Sequence, residues 1–141
     1  MSSGGSADGS RRRVVLLSSV PAPLGERLAA AGLDVVTREV APGRAQEAAA
    51  AAADADGLLS LLVHPVGERL FAAAPRLAVV ANCAAGVDNV DLDSARRHGV
   101  TVANTPGVLT DDTADFTWAL LLALLRRVVE GDAFVRRGEF R

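Results

Sequence analysis

The chain has 141 residues, of which 50% are apolar and 23% are charged, and its formal net charge is −2. This composition predicts one globular domain with a substantial core, excludes a disordered chain and argues against a nucleic-acid partner. The single cysteine, Cys83, excludes an internal disulfide and favours a reducing compartment, so we expect a cytoplasmic protein. The longest apolar run, residues 119–125, is too short to span a bilayer, so no membrane partner is expected.

The N-terminal stretch, residues 1–12, is polar and rich in glycine and serine, which predicts a flexible tail. After it, apolar runs predict strands at residues 13–20, 34–40, 57–63, 77–81 and 100–103. The stretches between them predict helices at residues 24–31, 44–55 and 67–74, and a further helix that ends at Arg97. This alternation predicts right-handed crossovers around a parallel sheet, an α/β fold of flavodoxin-like length with helices on both faces.

Glycines and acidic residues mark the ends of the predicted helices. Gly32 and Gly99 follow two of them and are predicted to stop them, because glycine readily adopts the left-handed conformation of a helix C-cap. Asp91 or Asp93 is predicted to cap the fourth helix at its N-terminus. The strand at 13–20 is predicted to end at Pro21.

The last predicted helix is long and apolar. It begins near Thr110, where Thr110, Asp111 and Asp112 offer capping oxygens. Residues 116–125 leave almost no polar face, and a helix that is apolar all round is normally buried on more than one side. We therefore expect a second domain or a second subunit to cover residues 116–125. The amphipathic pattern continues through residues 128–140.

Chemistry is expected where the parallel strands end, because ligands of open α/β sheets bind at the carboxyl ends of the strands. The loops there are residues 61–64, 83–89 and 104–107. In the second loop, Gly86 permits a positive φ angle and close approach of backbone N–H groups to a small anion. The alternative is a tight turn in which Asp88 and Asn89 form a local hydrogen-bonded motif.

The remaining polar and aromatic residues give weaker signals. Asp88, Asn89 and Asp91 match no Ca²⁺ loop, so no metal site is expected, and their predicted role is to fix the turn and cap the next helix. His64 follows a strand end, a position where a general base could lie. Because no catalytic partner is evident in the sequence, it is interpreted as a loop residue near the pocket mouth. Three further interpretations are a solvated helix end for His98, a small apolar filler for Cys83, and a core or interface residue for Trp118.

The segment NCAAGVDNVD, followed by HGVTVANTPGVLTDDTAD, resembles the D-isomer-specific 2-hydroxyacid dehydrogenases, and within them the glyoxylate/hydroxypyruvate reductases. The resemblance is weak before Asp56 and strong after Val79. It implies a substrate lobe at residues 13–109 and an interdomain helix with the start of a linker at residues 110–141. In the family, backbone amides of the first two loops hold the substrate carboxylate, and the matching residues here are Leu61, Leu62, Ala85 and Gly86.

The resemblance also implies a cofactor, NAD or NADP. The family's threonine in the triplet matched by Thr113-Ala114-Asp115 faces the bound dinucleotide, so Thr113 is a candidate cofactor contact; the alternative is an ordinary first-turn residue. The implied reaction is reduction of a small 2-keto acid to the D-2-hydroxy acid by NADH or NADPH, in an enzyme that is a homodimer at full length.

The family's catalytic arginine, acid and histidine and its G-x-G-x-x-G loop are expected beyond Arg141, so the chain is interpreted as truncated before the cofactor domain and inactive by itself. Two other interpretations remain open. The chain is either a stand-alone small-anion-binding or protein-interaction module without catalysis, or the equivalent lobe of a phosphoglycerate dehydrogenase. The run from Val108 to Thr113 favours the reductases over the latter.

Overall fold

The computed structural model describes residues 11–20 and 22–140. The predicted tail up to residue 10 and the strand-ending Pro21 lie outside the described residues. The chain divides into two compact units, one ending at Thr105 and the other beginning at Pro106.

The first unit is a five-stranded parallel sheet with the strand order β2-β1-β3-β4-β5. The strands are β1 Arg13–Leu16, β2 Asp34–Thr37, β3 Gly57–Leu61, β4 Val79–Cys83 and β5 Thr101–Ala103. The helices between them are α1 Ala22–Ala30, α2 Ala45–Ala52, α3 Glu68–Ala73 and α4 Leu92–Arg97. This strand order is that of the flavodoxin-like fold, so the predicted fold class is confirmed.

The strands differ from the prediction mainly at their carboxyl ends. β1 ends at Leu16 and β3 at Leu61, four and two residues earlier than the apolar runs suggested. β4 begins and ends two residues later than predicted, because its register with β3 runs from Gly57↔Val79 to Leu61↔Cys83. Cys83, predicted as a loop residue, and Asn82, which is assigned to neither the predicted strand nor the predicted loop, therefore belong to the strand.

Right-handed crossovers place α1 on one face of this sheet and α2, α3 and α4 on the other, because only the β1-to-β2 connection runs in the opposite direction along the sheet. The core lies on the second of these faces. It joins alternate residues of the strands to the inner sides of α2 and α3, and its members include Val15, Leu58, Val80, Ala52 and Phe71. Small alanine side chains on α2 (Ala48, Ala49 and Ala52) are buried there.

Three helix ends follow the prediction closely. The Asp91 side chain accepts a 2.9 Å hydrogen bond from the Ser94 backbone N–H and caps α4, which settles the choice between Asp91 and Asp93. Gly32 and Gly99 have φ angles of 84° and 70°, as expected of residues that stop a helix.

The second unit contains α5 (Thr110–Leu125) and α6 (Val128–Arg136). Arg127 separates them and adopts a left-handed conformation with φ 51°. The predicted capping by Thr110, Asp111 or Asp112 is wrong: the N-cap of α5 is Leu109, without a side-chain hydrogen bond, and the two aspartates lie inside the first turn. There they face the positive end of the helix dipole.

Among residues 106–140 no side chain of α5 or α6 is buried. The structure contains the predicted apolar helix as α5. The predicted cover over residues 116–125 and the interdomain role stay predictions. Across residues 11–20 and 22–140, no helix combines the length and the hydropathy that a bilayer crossing requires.

Candidate functional site

The loops that follow β3, β4 and β5 leave the same edge of the sheet. Leu61 pairs with Cys83 at the ends of β3 and β4, and Ala81 pairs with Ala103 on β4 and β5. Because neighbouring parallel strands end together, the turn after Leu61, the loop at residues 84–89 and the start of the third loop at residues 104–105 lie side by side.

Asn89 links the second loop to the first. Its side-chain amide donates hydrogen bonds to the backbone oxygens of Leu61 (3.1 Å) and His64 (2.9 Å). The Asn89 backbone oxygen also accepts a 2.8 Å bond from the N–H of Val66. The role of Asn89 is therefore wider than the predicted local turn motif, since its contacts reach a segment about 25 positions earlier in the chain.

A buried pair of polar side chains lies beneath this link, and sequence reasoning missed it. Asn82 is 1% exposed and Ser60 is fully buried. The Ser60 hydroxyl donates to Asn82 Oδ1 (2.9 Å), while Asn82 Nδ2 donates to the backbone oxygen of Gly86 (3.0 Å) and to Asn89 Oδ1 (2.9 Å). The sequence signal for this pair was one polar residue within each of two apolar segments. In the structure these two residues, Ser60 and Asn82, are directly paired in the register of β3 and β4.

His64 is buried, with 1% exposure, so its predicted place at the pocket mouth is wrong. Its Nδ1 accepts a 3.1 Å bond from the Leu61 N–H, and its Nε2 lies 3.1 Å from the backbone oxygen of Val40. Since Val40 oxygen can only accept, Nε2 carries the proton and the ring is neutral. Both ring nitrogens are occupied, which leaves neither of them free to act as a general base.

His98 lies at the C-cap of α4, as predicted, but it is more constrained than a solvated helix end. Its Nε2 lies 2.9 Å from Glu68 Oε1 and its ring stacks on Phe71 with centroids 5.9 Å apart. The Ser94 hydroxyl, His98 and Arg97 together hold the pKa of Glu68 down at about 2.

Gly86 does not use a positive φ angle, contrary to the prediction. Its role is steric instead: a Cβ at this position would lie 3.0 Å from the Asp88 carboxylate oxygen Oδ2. The contact is tighter than ordinary van der Waals packing, so the loop keeps its shape only if residue 86 lacks a side chain or Asp88 moves.

Cys83 is exposed, so its interpretation as an apolar filler is wrong. The reason is the strand alternation of β4, which puts Val80 and Asn82 on the buried face and Val79, Ala81 and Cys83 on the exposed face. Asn82 therefore occupies the buried position that was expected for Cys83 as an apolar filler.

Backbone N–H groups are the binding groups that this edge offers. Within the described part of the chain, the N–H groups of Leu62, Ala85 and Gly86 have no acceptor, whereas that of Leu61 is already bonded to His64. Leu62 and Ala85 are exposed, and Gly86 is half-buried. Three of the four amides implied by the resemblance are thus available to a small anion such as a carboxylate.

The two loops carry no arginine, and Asp88 brings a carboxylate close to Gly86. Any anion held here by these loops would therefore be bound through amide dipoles. Among the described residues, no group of three or more histidine, cysteine, aspartate or glutamate side chains could hold a metal ion.

The candidate cofactor contact lies in the second unit. Thr113 occupies the first turn of α5, where its N–H donates to the Leu109 oxygen (3.0 Å) and its C=O accepts from Thr117 Oγ1 (2.7 Å). Both bonds belong to the helix itself, which leaves the cofactor role a prediction. Trp118 is 61% exposed and is therefore no core residue of its own unit.

A family model described as "D-isomer specific 2-hydroxyacid dehydrogenase, catalytic domain" matches residues 14–130. The glyoxylate reductase of Thermococcus kodakarensis is 52% identical over 88 residues, which cover 62% of this chain and 26% of that protein. The matched segment thus spans about a quarter of that relative's length.

Solved structures agree in fold. The TT0316 protein from Thermus thermophilus superposes with a TM-score of 0.77 at 39% identity, covering 92% of this chain and 42% of that one. The 3-phosphoglycerate dehydrogenase of Entamoeba histolytica, solved with bound NAD⁺, superposes with a TM-score of 0.68 at 23% identity, covering 81% of this chain and 39% of that one. The second similarity concerns the fold alone.

Proposed function

The chain belongs to the D-isomer-specific 2-hydroxyacid dehydrogenase family, and we propose that its flavodoxin-like unit is the substrate lobe of an NAD(P)-dependent reductase of the glyoxylate/hydroxypyruvate type. The lobe corresponds to residues 13–109 and binds a small 2-keto acid by its carboxylate. Residues 110–141 form the interdomain helix and the start of the linker to a cofactor domain. The single cysteine supports a reducing, cytoplasmic location.

The observation that carries this proposal is the set of amides at the edge of the sheet. Leu62, Ala85 and Gly86 present backbone N–H groups without an acceptor among the described residues, on loops that leave neighbouring strands. Charge-assisted hydrogen bonds from such groups to a carboxylate are about twice as strong as neutral ones. A small 2-keto acid has one carboxylate of suitable size, and its carbonyl lies on the adjacent carbon.

The cofactor of this reaction would supply hydride to that carbonyl carbon. The 141 residues contain no G-x-G-x-x-G loop, so the residues present do not fit the pyrophosphate of a dinucleotide. Thr113, on the first turn of α5, is the one cofactor contact that we propose for this chain. No step of the reaction is assigned to these residues beyond holding the substrate.

The carboxylate site is tested by titrating the ¹⁵N-labelled 141-residue chain with oxalate or pyruvate up to about 10 mM, a range suited to weak binding. We expect saturable amide shifts at Leu62, Ala85 and Gly86. Shifts that are absent, or spread evenly over the surface, would contradict the proposal.

A matched pair of glycine substitutions sharpens this test. Gly86→Ala places a Cβ 3.0 Å from the Asp88 carboxylate oxygen, which must then move aside, and we expect it to weaken the saturable shifts. Gly25→Ala adds a Cβ that meets nothing within 4 Å, so it is expected to leave them unchanged.

We further propose that the isolated chain has no dehydrogenase activity. In support, the two histidines of the sequence are both held by other contacts, His64 at Leu61 and Val40 and His98 at Glu68. The check is NADH or NADPH oxidation with glyoxylate or hydroxypyruvate. Turnover by the 141 residues would overturn this part and direct mutagenesis to His64 first.

The surface of residues 116–125 supports a partner for this chain. Phe116 is 65% exposed and Leu124 is 77% exposed, and clustered apolar exposure of this kind marks interaction sites. We propose that a cofactor domain or a second subunit covers this surface, as in a homodimeric enzyme. A non-catalytic binding module is the alternative, and a monodisperse monomer that binds oxalate would favour it.

A further inference from the structure

We propose that Asn104 and Asn89 are positioning residues whose side chains set the direction of the amide N–H groups of the anion site. This inference rests on the proposed function and adds two residues to it. Peptide geometry is its physical basis. In a trans peptide the C=O of one residue and the N–H of the next point in opposite directions within one plane. The described residues contain no cis peptide bond.

Each free N–H of the site belongs to a peptide whose carbonyl is held. The Asn104 side-chain amide donates a 2.8 Å bond to the Ala85 oxygen, so the N–H of Gly86 is turned to the opposite side. The backbone N–H of Thr105 donates a 2.9 Å bond to the Ala84 oxygen, which directs the N–H of Ala85 in the same way. The third loop therefore holds both peptide planes of the second loop.

The same trans-peptide geometry applies to the first loop. The Leu61 oxygen accepts a 3.1 Å bond from Asn89 Nδ2 and a 3.0 Å bond from the His64 backbone N–H, and together they turn the N–H of Leu62 to the opposite side. Without these two bonds, the peptide plane at the end of β3 could rotate at little cost, because turn backbones have several accessible conformations. Pre-ordering the three planes before the anion arrives removes that entropy from the cost of binding.

Asn104 is the better residue for a test because it lies on the surface. Its bond to Ala85 is exposed, so removing the side chain leaves no buried polar group unpaired, and stability should change little. Asn89 is partly buried and also bonds to Asn82, so its removal disturbs the interior as well.

The test compares wild type, Asn104→Ala and Asn104→Gln as the full 141-residue chain, with oxalate as the probe. We expect Asn104→Ala to weaken oxalate binding about tenfold and Asn104→Gln, which keeps an amide donor, to recover part of it. Ser19→Ala is the matched control, because it removes another exposed side-chain hydrogen bond, to Glu39. It is expected to bind oxalate like wild type.

A second measurement reports orientation directly and needs no ligand. Residual dipolar couplings of the Gly86 N–H should change in Asn104→Ala. Those of the Leu62 N–H should change less in Asn89→Ala, because the His64 N–H still holds the Leu61 oxygen, and couplings in β1 should stay constant. Unchanged Gly86 couplings, or oxalate binding by Asn104→Ala within about twofold of wild type, would overturn the inference. If wild type binds no oxalate while these couplings still change, the proposed function fails and the positioning role stands.

Discussion

The two units use their apolar residues in opposite ways, and helices α2 and α5 show the difference. α2 is built from alanine, the smallest apolar side chain, and Ala48, Ala49 and Ala52 are buried against the core. α5 contains leucine, phenylalanine and tryptophan and has no buried residue. Hydrophobicity along a helix therefore does not by itself determine burial. What determines it is the surface that the rest of the fold presents.

Helix formation and helix burial are separate consequences of sequence in this chain. α5 forms because alanine and leucine have high helix propensity and its 16 residues contain no glycine or proline. α2 forms for the same reason, and its small side chains then allow close packing between β-sheet and helix. The apolar surface of α5 is available for a partner, whereas that of α2 is already used by the fold.

The largest contrast is expected between two phenylalanines. Phe71 is 1% exposed and Phe116 is 65% exposed. We expect Phe71→Ala to lower the free energy of unfolding by about 3–5 kcal/mol, the cost of a large cavity in a packed core. Phe116→Ala should change it by less than about 0.5 kcal/mol. Urea denaturation of both variants measures the difference, and equal losses would show that α5 is packed as firmly as the core.

The next effect concerns two asparagines at the same edge of the sheet. Asn82→Ala removes a buried amide and leaves the Ser60 hydroxyl without its acceptor, so we expect a loss of about 2–3 kcal/mol in the free energy of unfolding. Asn104→Ala, at an exposed position, should lose less than about 0.5 kcal/mol. Similar stabilities for the two variants would mean that the buried network contributes little to the first unit.

A comparison of α2 with α5 comes third. Ala52 is fully buried, and Ala52→Leu adds three side-chain carbons to a filled space, which we expect to cost about 1–3 kcal/mol. Ala119 is exposed on α5, so Ala119→Leu should be neutral to within about 0.5 kcal/mol. Thermal unfolding of both variants is the measurement. A stabilised Ala52→Leu variant would indicate unfilled space beneath α2.

Local signals in the sequence predicted most of the fold. The alternation of apolar runs and helix formers indicated the parallel sheet, and Gly99 and Asp91 marked two ends of α4 correctly. These features depend on a few neighbouring residues, which is why one sequence suffices for them. The predicted N-cap of α5 was wrong because acidic residues are favoured both at the N-cap and inside the first turn of a helix. The sequence alone did not distinguish these two positions.

The site depended on contacts between distant segments, and there the sequence reasoning was incomplete. Placing His64 required the Val40 oxygen, which is 24 positions away, and recognising Asn82 required the register of β3 and β4. Gly86 was linked to a positive φ angle, whereas its constraint is the position of the Asp88 side chain. The resemblance supplied the loop residues, but which N–H groups are free followed only from the hydrogen bonds.

The smallest expected effect is a pH dependence confined to the first unit, through Glu68 on α3. Bonds from Ser94, His98 and Arg97 lower the pKa of Glu68 from an ordinary 4.5 to about 2. Because the folded state holds the carboxylate ionised, the contribution of this group to stability is complete above pH 4.5 and is lost as the pH falls towards 2.

In Glu68→Gln we expect a shallower decline of the unfolding free energy between these two pH values. Glu47→Gln, which removes only a 3.9 Å surface ion pair with Arg44 on α2, is the control and should decline in parallel with wild type. If Glu68→Gln also runs parallel to wild type, the cluster around Glu68 does not stabilise the fold, and the first unit resists acid through other groups.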